Sequence, residues 1–243
     1  MTTPYAALSP ALQDKLTHTI TLLQRIASEF SPAVFANSLG AEDMVLTDLI
    51  AREQIGIDIF SLDTGRLPAE TYALMQQTAE TYPSKPVTVF FPRAESVEQY
   101  VNSQGINAFY GSIDARKACC RIRKLEPLAR ALAGKTAWVT GLRREQSTTR
   151  TDMQEQEWDA GNGLQKFNPL LAWSEKEVWA YIKALNVPYN ALHDQHYPSI
   201  GCAPCTRAIA VGEDVRAGRW WWENPENKEC GLHAKVSGLT PPK

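Results

Sequence analysis

Apolar residues recur along this chain in two rhythms that exchange places repeatedly. Leu12, Leu16, Ile20, Leu23 and Ile26 keep the spacing of one helical face behind a Ser9-Pro10 start signal. They predict an N-terminal helix. The short apolar run at 33–36 ends at Asn37-Ser38-Leu39-Gly40, after which Met44, Val45, Leu46, Leu49 and Ile50 resume helical spacing. Runs at 57–60, 87–91 and 137–140 repeat the strand pattern, with a helix predicted over 69–82 and another helical stretch after the third strand. Ser174 with Glu177 forms a capping box ahead of Val178, Trp179, Ile182 and Leu185, a helix expected to stop near Val187-Pro188.

Strands alternating with helices predict an α/β fold, a doubly wound and mostly parallel sheet covered on both faces. In such sheets ligands bind outside the carboxyl ends of the strands, the edge to which the loops after the first, second and fourth predicted strands belong. From about Asn190 onward the chain turns rich in Pro, Gly, polar residues and Cys, and after Glu223 it has no sustained apolar period. The expected organisation is one domain over 1–222 and an irregular, partly mobile tail over 223–243.

Composition narrows the function classes. The chain has 243 residues, 44% hydrophobic and 21% charged, with a net charge of -2. That is enough apolar material for a substantial core, without the basic field of a nucleic-acid binder, while a local pocket for a small anion stays open. No apolar run approaches the roughly 20 residues needed to cross a bilayer, and no basic segment followed by an apolar stretch opens the chain. The expectation is a cytoplasmic protein with no membrane or nucleic-acid partner, in which five cysteines serve metal binding or catalysis rather than disulfides.

Cys119-Cys120 and Cys202-Ala203-Pro204-Cys205 supply four soft ligands. Four thiolates suit an iron–sulfur cluster or tetrahedral zinc. Adjacent helical residues point about 100° apart, which favours ligands reaching different irons of a bulky cluster. The alternative is two pairs of buried free thiols. Cys230 is left without a cysteine partner, in a polar stretch with Lys228 and His233 close by, where neighbouring cations lower a thiol pKa and suit a nucleophile. An incidental exposed thiol is the plain alternative.

Anion-binding candidates gather on the predicted loops. Residues 38–43 stand between a strand and a helix, where free N–H groups and the helix dipole favour a phosphate-like group, with Ser38 and Gly40 as contacts. Glu42 and Asp43 read equally well as helix-start acids. Asp63-Thr64-Gly65 closes the next strand and suits a nucleotide sugar or base, or simply a turn. Arg143, Arg144 and Arg150 follow the fourth strand and suit bidentate recognition of phosphate or sulfate oxygens, or a solvated surface.

Taken together, the loop at 38–43, Leu62-Asp63-Thr64-Gly65, Cys119-Cys120 with Lys124, the run at 141–147, the run at 197–207 and Glu229-Cys230-Gly231-Leu232-His233 resemble the assimilatory sulfonucleotide reductases. The resemblance spans roughly 38–233 and implies an adenine-nucleotide α-hydrolase-like fold. It implies a [4Fe-4S] cluster on Cys119, Cys120, Cys202 and Cys205, as in the bacterial enzymes acting on adenylyl sulfate. It further implies reduction to sulfite and AMP with thioredoxin as external reductant, a glutaredoxin-like fusion being absent. Cys230 would form a covalent S-sulfo intermediate. Lys124, Arg216, Arg219 and His233 would contact the phosphosulfate, with Arg143, Arg144 and Arg150 in or beside the same pocket. The cluster would act structurally and electrostatically rather than as electron donor. A homo-oligomer is expected. The competing readings are a reductase for the 3′-phosphorylated nucleotide, an ATP-dependent thiolating or adenylating enzyme, and a non-catalytic iron–sulfur sensor. Residues after His233 match no motif, and Trp220-Trp221-Trp222 suits core packing first, with an interface or a lid as the alternatives.

Overall fold

The computed structural model describes residues 4–146 and 153–224. Ser9 caps α1 (Pro10–Glu29), its hydroxyl accepting from Leu12 N–H, and the helix buries Leu12, Leu16, Leu23 and Ile26. β1 (Ala33–Ala36) leads through 37–40 into α2 (Ala41–Arg52). β2 (Asp58–Leu62), α3 (Ala69–Thr81), β3 (Val87–Phe90) and α4 (Ala94–Gln104) continue the alternation.

Then the pattern changes. α5 (Ile113–Cys120) widens into a π-helical turn at Arg121–Leu125 before α6 (Glu126–Leu132). β4 (Ala137–Val139) follows, then β5 (Gln156–Asp159), β6 (Leu164–Phe167) and α7 (Glu175–Leu185). The Ser174–Glu177 capping box forms in full, and α7 ends on Asn186 in the left-handed conformation.

The six strands order as β3-β2-β1-β4-β6-β5, parallel except for β5, which runs antiparallel to β6. Chain order proceeds outward from β1 to β3 and then restarts on the other side at β4. The loops after β1 and β4 therefore leave in opposite directions and open a crevice between them.

Alternate residues of the strands face opposite layers. Ala33, Phe35, Ile59, Ala137, Val139 and Phe167 join one cluster with α1, α2 and α7, whereas Val34, Phe60 and Trp138 join Leu128, Ala131 and Leu132 of α6 in the other. Both faces of the sheet are covered, as a mostly parallel sheet requires. The doubly wound α/β expectation holds, with two more strands than the four the sequence pattern predicts. No described helix is long and apolar enough to cross a membrane.

Candidate active site

The crevice between the loops after β1 and β4 is a pocket of about 200 Å³, walled by Asn37, Ser38, Asp43, Thr64, Thr140 and Gly141 among others. Its floor depends on a carboxylate. Asp43 is buried in the first turn of α2, where its Oδ2 accepts from both the N–H and the hydroxyl of Ser38, each at 2.6 Å. Its carboxylate also accepts from Gly141 N–H. One side chain thus ties the β1 loop to the β4 loop. Burial pushes its pKa up to about 6, against the downward pull of these hydrogen bonds. A Cβ at position 141 would stand under 3.0 Å from Asp43 Oδ1, so only glycine permits this approach.

A larger cleft of about 760 Å³ adjoins the pocket and shares Ser38, Glu42, Leu142 and Ile200 with it. Gly40, Arg143, Arg216 and Arg219 also face the cleft. Arg143 is not the exposed guanidinium expected of a surface pair: it is buried, and its Nε donates to Glu42 Oε1 at 2.8 Å. Its Nη1 lacks a hydrogen-bond partner and lies 3.6 Å from Glu145. Arg219 donates to Ser199 Oγ and Ile200 O and lies 4.8 Å over Trp220. A Cβ on Gly201 would come within 2.7 Å of its Cζ, so the missing side chain makes room for the guanidinium.

The four cysteines of the two pairs line one small cavity of about 20 Å³, closed by Phe109, Pro204 and Trp220 and bordered by Arg66, Arg116, Arg123, Lys124 and Arg219. Thr64 Oγ1 and Cys202 Sγ share a hydrogen bond of 3.2 Å. Arg123 donates to Thr64 O and to Cys119. Tyr110 packs against Trp222 and donates to Pro204 O at 2.7 Å, fastening an aromatic cover to the second cysteine pair. Burial pushes the thiols of Cys119 and Cys205 up, Cys205 to about 12, while Arg123 pulls Cys119 down and Lys124 and Arg219 pull Cys205 down.

Among the described residues no three His, Cys, Asp or Glu side chains are gathered as they would be around a metal ion. The donor chemistry of the cavity is nonetheless all sulfur, with no carboxylate or imidazole on its walls. A cationic border of five side chains suits a group that keeps four thiolates anionic. These residues fit a soft metal cluster held by Cys119, Cys120, Cys202 and Cys205.

Lys124 is the residue common to all three spaces, the pocket, the cleft and the cysteine cavity. It stands four residues beyond Cys120, within the π-helical turn. Such single-turn widenings recur at functional sites.

The sequence profile described as the phosphoadenosine phosphosulfate reductase domain matches residues 32–208. The chain belongs to this family. Its relatives include the adenosine 5′-phosphosulfate reductase of Allochromatium vinosum, 61% identical over 216 residues that cover 89% of this chain and 84% of that one. The protein of the same name from Burkholderia cepacia is 52% identical, covering 97% and 93%. A crystal structure of phosphoadenylyl-sulfate reductase from Candida auris, in a phosphate complex, superposes with a TM-score of 0.68 at 26% identity, covering 83% of this chain and 98% of that one. Yeast FAD synthetase, at 17% identity and a TM-score of 0.56 over 82% of this chain and 67% of that one, shares the fold.

Within this sulfonucleotide reductase frame, most of the anticipated residues converge. Ser38, Gly40, Thr64, Lys124, Arg143, Arg216, Arg219 and the four paired cysteines all line one of the three spaces. Asp63 and Gly65 do not: Asp63 Oδ1 accepts from Gly65 N–H and from Tyr72 hydroxyl, so the carboxylate shapes the turn that presents Thr64. Arg144 is exposed and faces none of the three. Arg150, Cys230 and His233 lie outside the described residues. Arg116 and Arg123, which the sequence reading passed over, stand one helical turn before and after the cysteine pair. That i,i+4 spacing of cation and thiol was the available signal.

Proposed function

We propose that the protein reduces adenylyl sulfate to sulfite and AMP with thioredoxin as the electron donor, in assimilatory sulfate reduction and cysteine biosynthesis. The observation that carries this reading is Lys124, which lines the pocket, the cleft and the sulfur-lined cavity together. The adenosine moiety occupies the pocket between the β1 and β4 loops. The phosphosulfate extends into the cleft toward Lys124, Arg216 and Arg219. Arg143, fixed by Glu42, adds the donor Nη1. These charges offset repulsion between a thiolate and the dianion it approaches.

Cys230 is the nucleophile. Its thiolate forms a bond to the sulfate sulfur as the bond from that sulfur to the phosphate oxygen breaks, and AMP leaves with the electron pair. A thioredoxin thiolate then attacks the Cys230 sulfur and expels sulfite. The second thioredoxin thiol resolves the mixed disulfide, so two thiols supply the two electrons. A [4Fe-4S] cluster on the four paired cysteines would supply structural anchoring and a local field. His233 and Arg150 complete the anion contacts in this reading. The setting is cytoplasmic, in keeping with four free cysteines among the described residues. The assembly is a homo-oligomer, testable by sedimentation.

Mass spectrometry of anaerobically purified protein mixed with adenylyl sulfate tests nucleotide and nucleophile together. A sulfo-adduct on Cys230, absent in Cys230→Ser, is expected. Turnover that survives Cys230→Ser, or sulfite release only from the 3′-phosphorylated nucleotide, would reject the reading.

A further inference from the structure

Arg116 lies one turn before the cysteine pair with its side chain 1% exposed, facing a Glu223 side chain that is 4% exposed. Its Nε and Nη2 donate to the two carboxylate oxygens of Glu223 at 2.7 and 2.8 Å. The same guanidinium donates to Cys120 and stacks on Trp220 at 4.7 Å. Burying two charges is costly in desolvation, and apolar side chains of similar volume often fill such space as stably. What the bidentate pair adds is a fixed geometry between α5 and the last described stretch of chain.

Residues up to Trp222 hold their places by other means, Trp222 through its packing on Phe109 and Tyr110. Arg219 forms a backbone bridge with Thr206, and Trp220 N–H donates to Cys205 O at 3.1 Å. Glu223 is the last described side chain with a partner in the interior. Cys230 follows seven positions later, a length of chain that reaches at most about 25 Å. Where that reach begins decides which part of the cleft the thiol can meet.

We propose that Arg116 and Glu223 are positioning residues: their pair fixes the point from which the C-terminal segment departs and so places the Cys230 thiol against the nucleotide's sulfuryl group. The inference rests on Cys230 being the nucleophile. It goes further in tying the placement of that thiol to the helix that carries Cys119 and Cys120.

Glu223→Gln in the intact, iron-loaded protein tests it by four readings: visible absorbance, nucleotide affinity, alkylation of Cys230 by iodoacetamide, and the single-turnover rate of the sulfo-adduct. Absorbance, AMP affinity and alkylation rate are expected within about twofold of the parent, while adduct formation slows by about tenfold or more, the sensitivity expected when a reacting group is misplaced. Glu223→Asp, which keeps the charge and shortens the side chain, replaces it if the amide variant does not fold, with the same expected split. An unchanged adduct rate overturns the proposal. So does a fall in absorbance and AMP affinity parallel to the adduct rate, which marks a structural role only. Absence of adduct in the parent protein overturns the nucleophile assignment itself, a result recognisable because it appears without any substitution.

Discussion

Gly141→Ala is the sharpest test of how the pocket is built. The added methyl would stand under 3.0 Å from Asp43 Oδ1 and 3.1 Å from Glu42 Cβ, and neither acid can swing away freely because Asp43 is buried and Glu42 is engaged with Arg143. Displacing Asp43 loosens the two 2.6 Å bonds from Ser38 and the one from Gly141 N–H. Hydrogen bonds to a charged acceptor contribute about 1.5–3 kcal/mol each, so losing one or two gives a destabilisation of about 3 kcal/mol. For a chain of this size that lowers Tm by about 6–12 °C. Gly56→Ala is the matched control, since its Cβ would meet nothing nearer than Ala27 Cβ at 3.9 Å. Differential scanning calorimetry reads the first effect, and isothermal titration with AMP should show affinity reduced about tenfold or more, since about 1.4 kcal/mol suffices for that factor. A Gly141→Ala protein that melts with the control and binds AMP like the parent would refute the carboxylate tie between the two loops.

Two further outcomes follow from the same site. Asp43 has a folded pKa of about 6 against an ordinary 3.8. Its proton therefore favours the fold fully below 3.8, and that contribution is lost as pH rises through about 6. Parent stability relative to Asp43→Asn should accordingly decline across that window, by on the order of 3 kcal/mol in total, and a flat difference in denaturant titrations would contradict the assignment. Lys124→Gln should weaken adenylyl sulfate binding about 10–100-fold, the loss expected for one charge-assisted hydrogen bond, with adenosine affinity nearly unchanged. Equal losses for both ligands in titration calorimetry would place the ammonium away from the anion.

Parts of this architecture were readable in the sequence because the deciding interactions are local. The Ser9 cap and the Ser174–Glu177 box are contacts within three residues, and each marked its helix start. The two cysteine pairs converge because the end of α5 and the 202–205 turn line one cavity, a meeting their composition suggested without locating it. β5 and β6 escaped notice because charged and polar residues interrupt any apolar run in them, and only the folded sheet pairs those charges: Lys166, buried and 5.7 Å over Trp138, is ion-paired with Glu157 on the neighbouring strand. From their local settings Asp43 reads as a helix-start acid in an anion loop and Asp63 as a nucleotide contact or a turn residue. Tertiary contacts made Asp63 a turn brace and Asp43 the link between crevice walls. Arg143 carried the same ambiguity, settled by its long-range bond to Glu42.

A lysine that lines both a sulfur-lined chamber and an anion cleft has a consequence for thermodynamics as well as geometry. Lys124 cannot distinguish the source of the negative charge it faces. Charge gained on either side competes for the same cation. Linkage then requires that whatever factor chamber occupancy imposes on nucleotide affinity, the nucleotide imposes in return on the chamber's affinity for its contents. Arg219, which also lines both spaces, belongs to the same coupling.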